Sequence, residues 1–167
     1  NETNPGGLIA QYLGQTAQKT NQQLMGGLEG VTFVDEAYGL TTCRNGVLGE
    51  SNQFQQEAIE TLLAFMSRYA GMSVLIFAGY KKEMFNCFLK ANEGLQRRIP
   101  HMFELGNYTA DDLYNIFLSN VDKNLRFTGK SRKHLKAADD LGYFKNQAGD
   151  IKSLSSTFSK LYNAQQI

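Results

Sequence analysis

Apolar residues recur along the first part of the chain with two alternating spacings. The runs VTFV at 31–34 and SVLIFAG at 73–79 are short and rich in β-branched and aromatic residues, so each predicts a strand buried on both faces. A third short strand is expected at 101–105 (HMFEL). A helix is expected before the first run, at about 17–25, where Gly26-Gly27 would end it. Between and after the first two runs, apolar residues follow helical spacing at about 58–66 and 82–91. Strands that alternate with helices predict an α/β fold, a parallel sheet covered by helices.

Beyond the third predicted strand the pattern contains only helices. Thr109 and Asp112 have the spacing of a helix-capping pair, and apolar residues follow them at helical spacing. A last helix has one apolar face, formed by residues 151, 154, 158 and 161. We therefore expect an α/β part at 1–107 and a small α-helical part at 108–167.

Composition narrows the class of partner and compartment. The 17 Lys and Arg residues nearly balance the 16 Asp and Glu residues, so the net charge of +1 gives no field that would attract nucleic acid or an anionic membrane. The longest apolar run, VLIFA, is too short for a bilayer span, and the first residues lack a signal peptide's regions. Cys43 and Cys87 lie far apart without a CxxC motif, so neither a disulfide nor a zinc site is expected. These features predict a soluble protein of a reducing, intracellular compartment.

The strand predicted at 31–34 ends on two acids, Asp35 and Glu36. A buried strand that delivers carboxylates at its carboxyl end is how open α/β sheets build binding sites. Acids also follow strands simply because loops are polar, so the dipeptide alone leaves both interpretations open.

Four motifs occur in an order and spacing that resemble one subfamily of AAA+ ATPases. They are QYLGQTAQKT, GVTFVDEAYGL, VLIFAGYKKEM and NEGLQRRI. The subfamily contains red-type Rubisco activase, stage V sporulation protein K and the AAA+ component of type VII secretion, and the resemblance extends from Leu8 to about Asn163. It implies that 1–107 is a partial RecA-like AAA+ core and that 108–167 is the α-helical lid subdomain.

The resemblance assigns nucleotide-binding roles to residues that follow the strands. Asp35 would hold Mg²⁺ on the phosphates of ATP, and Glu36 would polarise the water that attacks the γ-phosphate. Tyr80 and Lys81 follow the second strand, where the family senses the γ-phosphate. This match is loose, because the family usually has a polar residue there.

Tyr12, Leu13 and Gly14 resemble the aromatic-aliphatic-glycine pore loop with which hexameric members grip a peptide in the central channel. The alternative for Tyr12 is a core aromatic. The polar residues on both sides of this motif favour an exposed position instead.

Arg98 matches the family's arginine finger, which acts on the nucleotide of the neighbouring subunit and raises the rate roughly a thousandfold or more. Members often carry a second arginine where this chain has Gln96, so Arg97 stays an alternative, and a surface basic pair at a helix end is the structural alternative. Lys152 matches a lid arginine that contacts the nucleotide; it keeps the charge but loses the bidentate fork. A solvated lysine in the first helical turn is equally compatible with the sequence.

The chain lacks the phosphate-binding loop GxxxxGK[ST], in which backbone N–H groups and a lysine hold the phosphates. Gly129-Lys130-Ser131 is a decoy that predicts a helix-start turn, because Asn124 replaces the first glycine and no strand precedes it. In AAA+ folds the strand before that loop lies between the second and third strands predicted here, so 101–105 would lose its ladder partner. We therefore expect an N-terminal extension of the natural polypeptide, or another chain, to supply the strand and the loop.

The resemblance implies an AAA+ motor that couples the binding and hydrolysis of ATP, with Mg²⁺, to the remodelling of a protein client in a homo- or hetero-hexameric ring. We expect this chain alone to be inactive. The rival is a non-catalytic AAA-like scaffold, which would explain the missing loop, Gln96 and Lys152. A nucleic-acid motor such as a clamp loader shares the lid motif, but the near-neutral charge argues against nucleic acid. The cytoplasm or a plastid stroma is the implied compartment, and the client is left open.

Overall fold

The computed structural model describes residues 1–106, 108–121, 133, 136–138 and 148–164. The chain divides into two compact units, Asn1–Glu104 and Leu105–Ile167. The turn predicted at Gly129-Lys130-Ser131 lies outside the described residues.

The first unit contains a parallel sheet. The described strands of the chain are β1 (Glu2–Thr3), β2 (Val31–Val34), β3 (Cys43–Arg44), β4 (Val47–Leu48) and β5 (Val74–Phe77). The parallel sheet has the order β1-β2-β5, with Glu2 opposite Phe33 and Val31 opposite Val74. The strands predicted at 31–34 and within 73–79 are therefore confirmed, and so is the α/β class.

The two faces of the sheet differ in burial. Thr32 and Val34 are fully buried, and Leu75 and Phe77, which lie opposite them in the register, pack against the core. Side chains of a strand point alternately to opposite faces. The other face carries apolar side chains that are 47%, 55% and 45% exposed, namely Val31, Val74 and Ile76. The expectation that both strands are buried on both faces is wrong, because within Asn1–Glu104 nothing packs over this second face closely enough to bury it.

Three helices accompany the buried face, α1 (Pro5–Leu8), α2 (Thr16–Met25) and α3 (Gln53–Arg68). Leu24 of α2 belongs to the same core cluster as the helical face of α3 formed by Ala58, Ile59, Leu62 and Phe65. α3 begins with a capping box, in which the Asn52 side chain accepts from the Gln55 N–H at 2.9 Å and the Gln55 side chain accepts from the Asn52 N–H at 3.1 Å. These bonds satisfy two backbone donors and fix the start of the helix.

Strands β3 and β4, which follow β2 and precede α3 in the chain, form an antiparallel hairpin (residues 43–48). Its two turn residues, Asn45 and Gly46, both have positive φ, at 52° and 71°, as a tight two-residue hairpin turn requires. The first hairpin residue, Cys43, forms a disulfide with Cys87, and their Cα atoms are 5.7 Å apart. The expectation that the two cysteines are unpaired is therefore wrong, because folding brings together residues 44 positions apart in sequence.

The segment after β5 is helical but not one regular α-helix. Helix α4 (Lys81–Glu83) leads directly into a π-helix (Met84–Phe88), in which the Leu89 N–H donates to the Met84 carbonyl. Phe88 is fully buried, and its ring lies 5.2 Å from that of Phe77 in β5. The helix predicted at 82–91 is thus confirmed in part, with a π segment that places Cys87 and Phe88 in the core. Helix α5 (Glu93–Arg98) follows.

The strand predicted at 101–105 is not present. These five residues have no regular structure, and Phe103 is 90% exposed. The physical reason is pairing: among the described strands, β5 pairs only with β2, and no strand lies along its other edge. A β-type sequence without a ladder partner leaves its backbone groups to water, so it stays extended and exposed.

The second unit contains the helices α6 (Ala110–Asn120) and α7 (Ala148–Ala164). The capping pair predicted from the sequence is confirmed: the Thr109 hydroxyl accepts from the Asp112 N–H at 3.2 Å, and the Asp112 carboxylate accepts from the Thr109 N–H at 2.9 Å. α6 and α7 share a small core of Leu113, Phe117, Val121 and Ile151. No helix in the described part of the chain has the length and apolar character needed to cross a membrane.

Candidate functional site

Carboxylates and aromatic side chains meet where the parallel strands end. Asp35 and Glu36 follow β2 directly, and Tyr80 follows β5 after a two-residue link. Two backbone hydrogen bonds continue the ladder beyond the strands, from Ala78 N–H to the Val34 carbonyl and from Ala37 N–H to the Ala78 carbonyl, each 2.9 Å. These bonds hold the two strand ends side by side, at the edge where open α/β sheets bind ligands.

Glu36 has a left-handed backbone, with φ 51° and ψ 41°, at the start of a 3₁₀ turn (Ala37–Leu40). This region disfavours residues with a Cβ atom, and such conformations concentrate at functional sites. The Glu36 N–H donates to Oδ1 of Asp35 at 2.9 Å. Asp35 is exposed and Glu36 is half-buried, so the turn separates two neighbouring carboxylates into different environments.

The environment of Glu36 disfavours its charged form. Partial withdrawal from water raises the pKa of the Glu36 carboxyl, and repulsion by Asp35 and then by Glu83 raises it further. A carboxylate with a raised pKa is a better proton acceptor than an ordinary one. Glu83, in α4, was not singled out from the sequence, because its approach to Glu36 depends on the tertiary fold.

Gly79 lies in the link between β5 and Tyr80 and has no room for a side chain. A Cβ atom there would lie 2.8 Å from Cδ1 of Tyr38 and 2.9 Å from Sδ of Met84. The Tyr38 ring in turn faces the Tyr80 ring, with centroids 6.2 Å apart. The glycine therefore lets the 3₁₀ turn after the carboxylates approach the segment after β5.

The two residues predicted to sense phosphate differ in their surroundings. Tyr80 is 68% exposed. The Lys81 ammonium donates to Glu104 at 2.7 Å, in an ion pair whose side chains are both mostly exposed. An exposed pair of this kind contributes little to stability, so Lys81 can exchange Glu104 for another anion at small cost.

Arg97 and Arg98 end α5 and have different partners. Arg97 forms an exposed ion pair with Glu93 one helical turn earlier, at 3.3 Å. Arg98 Nε donates to the Ser67 hydroxyl at 2.9 Å, and its Nη1 donates to the Gly94 carbonyl at 3.2 Å. Among the described residues, Arg98 is thus tied to a second element, the end of α3, and Arg97 to its own helix, although both side chains are solvent-exposed.

The motif Tyr12, Leu13 and Gly14 forms an exposed bend between α1 and α2. Tyr12 and Leu13 are 68% and 66% exposed, which confirms the expectation that Tyr12 is not a core aromatic. Gly14 has a φ of 75°. Two large apolar side chains are therefore accessible on this bend for contact with another protein.

Lys152 belongs to the second unit, in the first turns of α7, and is exposed. Its predicted contact with a nucleotide stays a prediction, as does the division of the chain at residue 107.

The carboxylates fit a divalent cation as partial ligands. Within the described residues no group of three or more His, Cys, Asp or Glu side chains could hold a metal ion by itself. Mg²⁺ is usually bound by one or two carboxylates together with water and the phosphates of a substrate. Asp35, exposed at a rigid strand end, has the chemistry of such a single ligand.

No family model matches the chain. It is, however, similar to three groups of curated proteins. It is 38% identical over 122 residues to ESX-3 secretion system protein EccA3 of Mycolicibacterium smegmatis, which is 73% of this chain and 19% of that protein. It is 33% identical over 151 residues to Stage V sporulation protein K of Bacillus subtilis, covering 90% of the chain and 44% of that protein. It is 36% identical over 141 residues to Protein CbbX of Cereibacter sphaeroides, covering 84% and 43%. The chain spans less than half the length of each of these relatives.

Proposed function

We propose a function from one established premise: the chain belongs to the AAA+ ATPases, the family of its EccA, sporulation protein K and CbbX homologues. It is the part of an ATP-hydrolysing module that carries the catalytic carboxylates, and it works in a ring assembly that remodels a protein client. The observation that supports this most strongly is the pair Asp35 and Glu36 at the carboxyl end of β2, with Glu36 half-buried in a left-handed turn.

The two carboxylates divide the work. When bound, Mg²⁺ and ATP supply the cation and the phosphoanhydride bond to be hydrolysed. Asp35 uses Oδ1 to accept the Glu36 N–H, and we assign its Oδ2 to the cation. The Glu36 carboxylate would accept a hydrogen bond from a water molecule and take up the proton that this water loses, a role that its raised pKa favours.

The phosphate-binding loop comes from a segment outside these 167 residues, which contain no GxxxxGK[ST] string. Three features of the first unit support a strand arriving with that loop. One edge of β5 is unpaired among the described strands, the face formed by Val31, Val74 and Ile76 is open, and Phe103 is exposed in a segment with a β-type sequence. A strand between β5 and 101–105 would satisfy the backbone of both and bury apolar surface.

Exposed side chains support the proposals of a ring assembly and of client binding. Ser67 holds the Arg98 guanidinium at the surface. A residue that reaches the nucleotide of a neighbouring subunit must be exposed in this way, so we propose Arg98 rather than Arg97 as the arginine finger. Tyr12 and Leu13 provide an apolar grip for an extended peptide. We propose Tyr80, Lys81 and Lys152 as further contacts of the nucleotide.

The test is Glu36→Gln in the polypeptide as its source encodes it, with any segment that precedes residue 1. Removal of the proton acceptor should lower ATP turnover by about two orders of magnitude or more, while labelled ATP still binds. Glu60→Gln, which removes an exposed carboxylate from α3, is the matched control. Hydrolysis at the wild-type rate in Glu36→Gln would contradict the role given to Glu36.

A non-catalytic scaffold is the second candidate, favoured by Gln96 and Lys152 at positions where arginines are expected. The same ATP titration separates the two functions. If the encoded polypeptide fails to bind ATP at millimolar concentration, the proposed ATPase function is contradicted and the scaffold function is supported.

A further inference from the structure

The disulfide between Cys43 and Cys87 joins two segments that flank the carboxylate site. Cys43 begins the hairpin, three residues after the 3₁₀ turn that follows Glu36, and Cys87 lies in the π-helix that begins directly after Glu83. This bond plays no part in the proposed hydrolysis, and the inference drawn from it goes beyond that function.

The hairpin has few other attachments to the π-helix and its neighbours. Each strand is two residues long, and two further bonds hold its base, from the Gly49 N–H to the Thr42 carbonyl at 2.7 Å and from the Thr42 hydroxyl to Gln55 at 2.9 Å. At the turn, the aliphatic part of Lys82 covers Gly46 so closely that a Cβ there would lie 2.5 Å from Lys82 Cε. A two-stranded ribbon of this size is not stable by itself, so the disulfide is its strongest attachment.

The two cysteines differ in burial. Cys87 is fully buried, whereas Cys43 is half-buried at the edge of an exposed hairpin. A thiolate from solution therefore reaches Cys43 first, and the buried Cys87 sulfur is the leaving group. This asymmetry is what an exchangeable disulfide needs, since exchange depends on which sulfur can be attacked.

The π-helix connects the bond to the carboxylates. Its first residue, Met84, packs against Gly79 beside the Tyr38 ring, and Glu83 directly before it repels the charge on Glu36. Movement of this helix would alter the surroundings of the carboxylate pair. π segments inside helices recur at functional sites.

We infer that Cys43 and Cys87 form a reversible thiol–disulfide pair: oxidation fastens the hairpin (residues 43–48) to the π-helix beside the carboxylate site, and reduction by a dithiol protein frees it. In the reduction, a thiolate of the dithiol protein attacks Sγ of Cys43, the S–S bond breaks, and the Cys87 thiolate leaves and takes up a proton. The second thiol of the reductant, once deprotonated, displaces Cys43 from the mixed disulfide. Two electrons pass to the pair, and the reductant ends as a disulfide.

The experiment measures redox state and hairpin release on the same sample. The protein is equilibrated without denaturant in buffers of reduced and oxidised dithiothreitol, free thiols are alkylated, and intact mass gives the oxidised fraction. Trypsin is then applied, because Arg44 in the hairpin is exposed and provides a cleavage point. The pair should convert fully in both directions, and reduction should accelerate cleavage after Arg44 at least tenfold.

Two controls separate hairpin release from unfolding. Cleavage after Arg68, the last residue of α3, should not change with redox state, whereas an equal acceleration at both sites would mean general unfolding and overturn the inference. The double variant Cys43→Ser, Cys87→Ala should be cleaved after Arg44 at the fast rate in either buffer. If that variant fails to fold, the wild-type comparison decides alone. Each of three results would refute a reversible pair. The disulfide could resist excess reduced dithiothreitol, the thiols could stay free in oxidised dithiothreitol, or the rate of cleavage after Arg44 could be independent of redox state.

Discussion

Charge and backbone strain at Glu36 can be separated by three substitutions in one experiment. Glu36→Gln removes the charge and keeps the side chain's shape. The pKa of Glu36 is higher in the folded than in the unfolded state. Protonated Glu36 therefore leaves the free energy of unfolding unchanged, whereas ionisation of Glu36 lowers it as pH rises through the folded-state pKa. The Gln variant should therefore be more stable than wild type at pH 7, with no advantage below the ordinary glutamate pKa of about 4.3.

Strain is measured by comparing Glu36→Gly with Glu36→Ala. At φ 51° a Cβ atom crowds the following carbonyl, which costs roughly 1 kcal/mol or more. Glycine lacks this atom, so the Gly variant should exceed the Ala variant in unfolding free energy by about 1 kcal/mol at every pH.

Urea unfolding of each variant at pH 4 and pH 7, followed by circular dichroism, gives both quantities. Glu60→Gln reports the effect of removing one surface carboxylate from the same unit. A Gln variant with the same advantage at both pH values would refute the electrostatic argument. An Ala variant as stable as the Gly variant would refute the strain argument, since it would mean that the turn adopts another conformation in solution.

Three further substitutions test other parts of the structure. Thr32→Val should raise the unfolding free energy by about 1 kcal/mol in urea titrations, because the buried Thr32 hydroxyl has no hydrogen-bond partner among the described residues. Thr109→Ala should cost the second unit about 1 kcal/mol at neutral pH, measured by thermal unfolding. The Thr109 side-chain hydrogen bond, and then its backbone hydrogen bond, lower the pKa of Asp112, so the part of the variant's effect that comes from the side-chain bond to the carboxylate should fade as pH falls through the folded-state pKa of Asp112. If Arg98 is the arginine finger proposed above, Ser67→Ala should reduce ATP turnover of the encoded polypeptide several-fold without changing ATP affinity, because Arg98 loses the hydroxyl that orients it. An equal loss when Ser67→Ala is made on an Arg98→Ala background would show that Ser67 acts by another route.

The sequence was most informative where a structure depends on near neighbours. The apolar run of β2 and the acids that end it, the apolar face of α3, and the Thr109–Asp112 cap are all local patterns, and the structure contains each of them. The order of four motifs also identified the family, which homology confirms.

The sequence was least informative where a structure depends on distant partners. The run at 101–105 has a strand's composition, but a strand needs a neighbour to bond with, and among the described strands none lies along the edge of β5 opposite β2. The cysteines gave no spacing signal, because a disulfide between residues 44 apart is set by the path of the chain and not by a motif.

The sequence by itself therefore determined which residues can form strands and helices, and that two carboxylates end a strand, because these follow from side-chain chemistry and local spacing. Only the tertiary structure decided that one face of the sheet is open, that Glu36 has a left-handed backbone near Glu83, that Arg98 rests on Ser67, and that Cys43 meets Cys87. Each of these depends on contacts between segments far apart in the chain, whose geometry no local pattern contains.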